Sequence, residues 1–222
     1  MDLLIFDLDG TLIDSQLDLA LSVNATRAQM GFPALPHELI HSYVGNGAPV
    51  LIRRAMGPDA PDSVVAEALD RFLAHYREHM LDNTVLYPGV REALDRFQQE
   101  GIVMAVLTNK PIVNSIGIIR GLGLESLFFR VYGGNSFEQK KPDPVGIHSL
   151  LQESGTRKER ALMVGDSAVD IRTARNAGIR ACGVTYGFQP ESLNEAPPDW
   201  LLDRMDDLVP LVLAERAAYS AP

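Results

Sequence analysis

The chain has 222 residues, 46% of them hydrophobic and 22% charged, and a formal net charge of −9. This is a globular balance, not a disordered one, and the acidic excess argues against nucleic acid or an anionic membrane as partner, since phosphate backbones are held mainly by Lys and Arg. The single cysteine, Cys182, excludes an internal disulfide or a cysteine metal cluster, and the N-terminal apolar run Leu3-Leu4-Ile5-Phe6 is too short for a signal peptide or a membrane span, so a cytoplasmic location is expected.

In chain order, Leu3–Phe6 is the first strand, closed by Asp7. Ser15 can cap a helix that runs to Met30 and ends at Gly31. Pro36 suits the first turn of another helix. Asp62–Leu81 is a long amphipathic helix with Val65, Leu69, Phe72, Leu73, Tyr76 and Met80 as its apolar stripe. Between Asp14 and Leu81 there is no convincing strand. From residue 90 onward, helices and short apolar runs alternate. Helices are predicted at Val90–Glu100, Val145–Ser154 and Val169–Ala177, stopped by Gly101, Gly155 and Gly178. The strands are Ile102–Leu107, Val131-Tyr132, Ala161–Val164 and Ala181–Thr185, and unbroken apolar runs of this length suit a parallel sheet covered on both faces. The tail at Ala217–Pro222 is expected to fray.

This pattern predicts an α/β fold: a doubly wound, Rossmann-like parallel sheet with an inserted all-helical module. One crossover helix is the usual link between parallel strands, and several between the first two mark an insertion. Turns at Asp14-Ser15 and Tyr87-Pro88-Gly89 would be its hinges. The expected division is a core of residues 1–14 and 86–222 and a cap of residues 15–85.

The chemistry-bearing residues sit at strand ends. The first strand runs into Asp7-Leu8-Asp9-Gly10-Thr11. Two acids at this spacing would point apart on a straight strand, but Gly10 lets the chain turn at once. The second ends in Thr108-Asn109-Lys110, a small hydroxyl followed by candidate backbone donors. Lys140-Lys141-Pro142-Asp143-Pro144 precedes the helix after the third, and Pro142 biases Lys141 toward an extended conformation. The fourth ends in Gly165-Asp166-Ser167 with Asp170 three residues on. Singly, each could be a polar turn, a cap or a solvated charge. Together they occupy successive carboxyl ends of strands, where open α/β sheets bind ligands.

This constellation resembles the haloacid dehalogenase superfamily of phosphohydrolases over nearly the whole chain. A softer likeness is to its phosphoglycolate phosphatase branch, carried by Tyr43-Val44-Gly45-Asn46-Gly47-Ala48, Thr173-Ala174-Arg175-Asn176-Ala177-Gly178 and Gly183-Val184-Thr185-Tyr186-Gly187-Phe188. The resemblance implies that Asp7 is the nucleophile and Asp9 the general acid and base. It implies that Thr108, Asn109 and Lys141 hold the phosphoryl oxygens. It also implies a metal bound by the side chains of Asp7 and Asp166 and the backbone carbonyl of Asp9, with Asp170 holding Lys141 and with Thr11 and Ser167 in support. Converging carboxylates need a cation, since like charges about 4 Å apart repel by about 4 kcal/mol at an effective dielectric of about 20. Hard oxygen donors without a His or Cys cluster point to Mg²⁺.

Other signals read as structure. His75 and His79 have metal-ligand spacing on a helix but no evident third ligand, so they are read as a solvated face. Cys182 is read as packing and Lys140 as a surface charge. In the insert, Gly45, Asn46 and Gly47 could meet the substrate's non-phosphate end, and Arg53 could pair with its carboxylate. The expectation is a phosphatase for a small phosphorylated metabolite, 2-phosphoglycolate foremost, acting as a monomer or homodimer. The alternatives are a sugar-phosphate phosphatase or phosphomutase on the same scaffold and a receiver-like signalling domain. The last also gathers aspartates, a hydroxyl and a lysine around Mg²⁺, yet has no use for Asp9 as an acid.

Overall fold

A computed structural model describes residues 1–220. In chain order the elements are β1 (Leu3–Phe6), β2 (Ile13–Asp14), α1 (Gln16–Gln29), α2 (His37–His41), α3 (Ala48–Met56), α4 (Asp62–His79), β3 (Val85–Leu86), α5 (Val90–Gln99) and β4 (Val103–Leu107). There follow α6 (Ile112–Gly121), β5 (Arg130–Tyr132), α7 (Val145–Ser154), β6 (Ala161–Gly165), α8 (Ala168–Ala177), β7 (Arg180–Val184), β8 (Trp200–Leu202) and α9 (Leu208–Ser220).

β1 is wholly buried inside a six-stranded parallel sheet of order β5-β4-β1-β6-β7-β8. Side chains on a strand alternate, so Leu4 and Phe6 enter one core layer while Leu3 and Ile5 enter the other. The Phe6 ring lies 6.5 Å from Phe97 of α5 and 6.4 Å from Phe128. The opposite layer gathers Ile147 and Leu150 of α7 with Ile171 and Ala174 of α8. With both faces covered, β1 carries no polar residue until it leaves the sheet. From β1 the chain builds outward through β4 and β5, then crosses back to lay β6 on the other side of β1. This reversal puts the carboxyl ends of β1, β4 and β6 around one crevice.

The helices α1 to α4 follow one another with no strand of the main sheet between them. They leave and rejoin the core through the antiparallel ribbon β2–β3, which pairs Ile13 with Leu86 and Asp14 with Val85. α4 packs on α1 and α3, burying Val65, Phe72 and Tyr76. The buried Asp18 of α1 accepts bonds from the Asn83 and Thr84 amides, the Asn83 side chain and the Thr84 hydroxyl, all at 2.8–3.1 Å. These bonds tie the start of the helical segment to its end.

Several elements depart from the sequence reading. Ser15 precedes α1 but makes no capping bond; its hydroxyl donates to Asp9 Oδ1 instead, at 2.5 Å. α6 has no predicted counterpart: its β-branched residues and internal glycines have low helix propensity, although Pro111 precedes it and Gly123 follows it at φ +64°. Two of those glycines are packing sites: a Cβ on Gly117 would lie 2.3 Å from Met80 Cε, and one on Gly121 2.2 Å from Leu81 Cδ1. The ribbon strands are two residues each, too short to show a period, and β8 exists by pairing with β7. Ala217–Ser220 continue α9, and residues 221 and 222 of the tail lie outside the described residues. Among the described residues no helix is long and apolar enough to cross a membrane.

Candidate active site

The ladder of β1 ends where the Asp7 amide donates to the Val164 carbonyl at 2.9 Å. The chain then folds over the Leu8 carbonyl, which accepts from the amides of Thr11, Leu12 and Ile13 at 3.0–3.3 Å. Gly10 makes this turn at φ +80°, a conformation costly to a residue with a Cβ. The turn brings both Asp7 and Asp9 to the wall of one cavity, so the spacing that would separate them on a straight strand does not.

Lys141 Nζ bridges Asp7 Oδ2 at 3.0 Å and Asp170 Oδ1 at 2.6 Å. The other oxygen of Asp170 accepts from the Ser167 amide at 3.2 Å and from the Ser167 hydroxyl at 2.7 Å. Asp170 is therefore the anchor of Lys141, and Ser167 fixes Asp170. Burial alone would lower the Lys141 pKa, but Asp170 and Asp7 outweigh it, so the net shift is upward and the ammonium stays charged.

Asp166 is held by the segment after β7. Its Oδ2 accepts from the amides of Phe188 at 2.6 Å and Gln189 at 3.2 Å. The fit is close: a Cβ on Gly187 would lie 2.2 Å from Asp166 Cβ and 2.4 Å from the Gly10 carbonyl oxygen. Burial first, then the charges of Asp170 and Asp7, push the Asp166 carboxyl up to about 8. Asp7 rises to about 6, mainly through burial, with Lys141 opposing. Oxygens of Asp7, Asp166 and Asp170 all lie within 4.8 Å of one another. Asp170 is already committed, which leaves Asp7 and Asp166 to face a cation. Two carboxylates whose ionisation is suppressed chiefly by burial, with the charge of Asp170 adding to both, fit a hard divalent ion.

The carboxylate of Asp9 is not in that cluster. It accepts from Lys110 Nζ at 2.9 and 3.1 Å and from Ser15. Lys110 also donates to Tyr76 Oη of α4 at 2.7 Å. Burial opposes the Lys110 charge, but Asp9 and Tyr76 more than offset it and its pKa rises. Sequence reasoning took Lys110 only as a backbone donor and Tyr76 only as part of the apolar stripe. The one signal pointing further was a lysine at the end of a buried strand.

Thr108 and Asn109 line the same cavity at the end of β4. Thr108 Oγ1 accepts from the Lys110 amide at 3.3 Å. Asn109 Nδ2 donates to the carbonyls of Lys141 at 3.2 Å and Gly45 at 3.3 Å, a bridging role that its sequence position did not suggest. Thr11 is buried in the turn and does not line the cavity; Tyr186 donates to its carbonyl at 3.0 Å.

In the helical segment, Gly45 and Gly47 line the cavity. Asn46 contributes through its carbonyl, which accepts from Lys140 Nζ at 2.6 Å. Lys140, read from the sequence as a surface charge, is exposed but bonds across to the insert. Gln189 likewise donates to the Val44 carbonyl. Arg53 requires a correction. Its guanidinium turns away to the Ala60 carbonyl and to Asp62, and it does not line the cavity. The acid nine residues ahead is a nearer partner than any ligand. His75 meets Ser22 and His79 meets Asp82, and among the described residues no cluster of three metal-ligating groups includes either; the buried Cys182 thiol is pushed up to about 12 by burial.

The sequence model of the haloacid dehalogenase-like hydrolases matches residues 4–184. A phosphoglycolate phosphatase from Colwellia psychrerythraea (strain 34H) is 38% identical over 215 residues, 94% of this chain and 95% of that protein. Another from Agrobacterium fabrum (strain C58) is 36% identical over 222 residues, 99% of this chain and 95% of that protein. Among solved structures, a predicted phosphoglycolate phosphatase from Haemophilus somnus superposes with a TM-score of 0.90 at 33% identity, covering 95% of this chain and 97% of that one. CbbY from Rhodobacter sphaeroides, in complex with phosphate, gives 0.76 at 25% identity, covering 94% and 96%.

Proposed function

The chain belongs to the haloacid dehalogenase-like hydrolases, and from that premise we propose that it is a Mg²⁺-dependent phosphatase whose substrate is 2-phosphoglycolate. The observation that carries this reading is that Asp7 and Asp9 open onto one cavity while bound to different cations, Asp7 to Lys141 and Asp9 to Lys110. A two-step displacement needs this separation of a nucleophile from its neighbouring acid.

A carboxylate oxygen of Asp7 attacks phosphorus, and the ester P–O bond breaks as the aspartyl-phosphate forms. Asp9 gives its proton to the departing alkoxide. It then takes one from the water that attacks the aspartyl-phosphate, which releases inorganic phosphate and restores Asp7. Lys141, fixed by Asp170, offsets charge on the phosphoryl oxygens, and the Thr108 hydroxyl and Asn109 amide donate to them. Mg²⁺ held by Asp7, Asp166 and the Asp9 carbonyl would supply further neutralisation of the transferring group; the all-oxygen donor set favours it over softer metals.

Residues 15–85 serve as a cap in this reading. The bonds from Asn109, Lys140 and Gln189 to the carbonyls of Gly45, Asn46 and Val44 support a closed position over the acids, from which water is excluded during transfer. The buried lone thiol and acidic surface suit a cytoplasmic setting.

The test is a phosphate-release panel with Mg²⁺ across 2-phosphoglycolate, sugar phosphates, nucleotides and pyrophosphate. The highest kcat/KM is expected for 2-phosphoglycolate, with release stopped by a chelator. Conversion of a sugar 1-phosphate to its isomer without free phosphate would replace the reading with a phosphomutase. A stable phosphorylated protein that never turns over would replace it with a receiver.

A further inference from the structure

The cavity over Asp7 and Asp9 is chemically uneven. Leu19, Val44, Ala48, Leu51, Phe72 and Leu73 make its roof apolar, while Asp7, Asp9 and Asp166 make its floor acidic. Among the described residues that line it, Lys110 is the one cation. A ligand carrying a second negative group meets uncharged donors at Asn114, Ser167 and Gln189 but a charged partner among these lining residues at Lys110, and a carboxylate buried without a partner costs several kcal/mol.

Lys110 is placed for such a role. It is 6% exposed and stands at the seam between core and cap, bonded to Asp9 on one side and to Tyr76 Oη on the other. Tyr76 accepts the bond from Lys110 and so keeps its own O–H proton to give. The Lys110 ammonium spends its three donors on the two Asp9 oxygens and Tyr76, so a carboxylate can bridge the pair by taking over one of the two Asp9 bonds while its other oxygen accepts from the Tyr76 hydroxyl. The ring of Tyr76 is fixed by stacking on Phe72 at 5.5 Å, so the hydroxyl is presented rigidly.

We propose that Lys110, with the Tyr76 hydroxyl beside it, binds a carboxylate of the substrate and thereby selects phosphate esters of 2-hydroxy acids. The geometry sets the length. The leaving oxygen must reach Asp9, and Lys110 Nζ is 2.9 Å from the Asp9 carboxylate. Groups held by these two neighbours lie close together, so the carboxylate is joined to the ester carbon directly and not through a long chain. The proposal rests on the phosphatase reading above and assigns to Lys110 the contact that the sequence assigned to Arg53.

The experiment compares kcat/KM for 2-phosphoglycolate and for its amide, 2-phosphoglycolamide, which has the same shape without the charge. The unmodified enzyme should favour the acid by roughly 10- to 100-fold, the range for one charge-assisted contact. In Lys110→Met the preference should fall to within about threefold, whatever happens to absolute rate through Asp9. Tyr76→Phe, which keeps the ring stacked on Phe72, should lower the preference mainly through KM for the acid. A role confined to Asp9 would slow both esters alike and leave the ratio standing, which overturns the proposal. Equal use of both esters by the unmodified enzyme also overturns it while leaving the phosphatase reading intact, and needs no variant to fold. Failure to hydrolyse any monoester removes both.

Discussion

Gly10 and Asp166 touch so closely that a Cβ on the glycine would lie 2.3 Å from Asp166 Oδ2. The turn that carries Asp9 and the strand end that carries Asp166 are therefore fitted to each other with no room for a methyl group. Gly10→Ala should both strain the backbone at φ +80° and displace the Asp166 carboxylate. A fall in kcat/KM of about 100-fold is expected, as for a catalytic group moved by about 1 Å. Isothermal titration should show weakened divalent-cation binding in the same variant, and unchanged binding would break the link between this contact and the metal site.

Asp7→Asn should abolish turnover, by about 10⁴-fold or more in kcat, because the amide is no nucleophile. Stability should not fall. The Asp7 carboxyl is pushed up mainly by burial, so removing its charge relieves a desolvation cost, and Lys141 keeps Asp170 at 2.6 Å. Phosphate release and thermal melting of the same preparation check both halves. A folded, active Asp7→Asn enzyme would remove Asp7 as the phosphoryl carrier.

The metal-free protein should lose stability as pH rises from about 5 to about 8. Asp166 is raised to about 8 and Asp7 to about 6 from an ordinary value of 3.8, so over this window the folded state holds more protons than the unfolded one. Stability is then fully present at low pH and drains as pH passes through the folded values. A melting temperature lower by roughly 5 °C or more at pH 8 than at pH 5 is the expected size. Mg²⁺ should reverse the trend, with a larger thermal shift at pH 8 and release of protons on binding. A pH-independent shift would mean that the cation does not meet these two acids.

Asp18→Ala should destabilise the fold by about 2–4 kcal/mol, since it leaves the Asn83 and Thr84 donors without their shared acceptor. Urea denaturation measures this. Because these bonds tie α1 to the returning chain, hydrogen exchange should rise first in residues 80–86.

The core acids were legible because each follows an apolar run at a strand end, and a parallel sheet must bring such ends together. Asp7, Thr108, Lys141 and Asp166 were therefore readable as a set without any three-dimensional information. The helix ends at Gly101, Gly155 and Gly178 were readable too, since a left-handed residue there is a local requirement. Lys110 and Tyr76 were not. Their pairing joins positions 9, 76 and 110, and nothing local to any of the three marks it. Arg53 shows the converse: a charge in the right region was claimed by Asp62, a partner within its own segment.

What the amino-acid order determined by itself is the alternation of buried strands and capped helices, the interruption of that alternation by a helical insert, and the chemical identity of the strand-end residues. Each follows from periodicity, glycine stereochemistry or the nature of a side chain, all of which act over a few residues. Only the tertiary structure decided that Asp9 meets Lys110 and Tyr76, that Asp62 claims Arg53, and that Lys110 lines the cavity. Those outcomes depend on distances between groups, some of them more than a hundred residues apart in sequence, and the Coulomb interaction between them falls with distance and rises as water is removed.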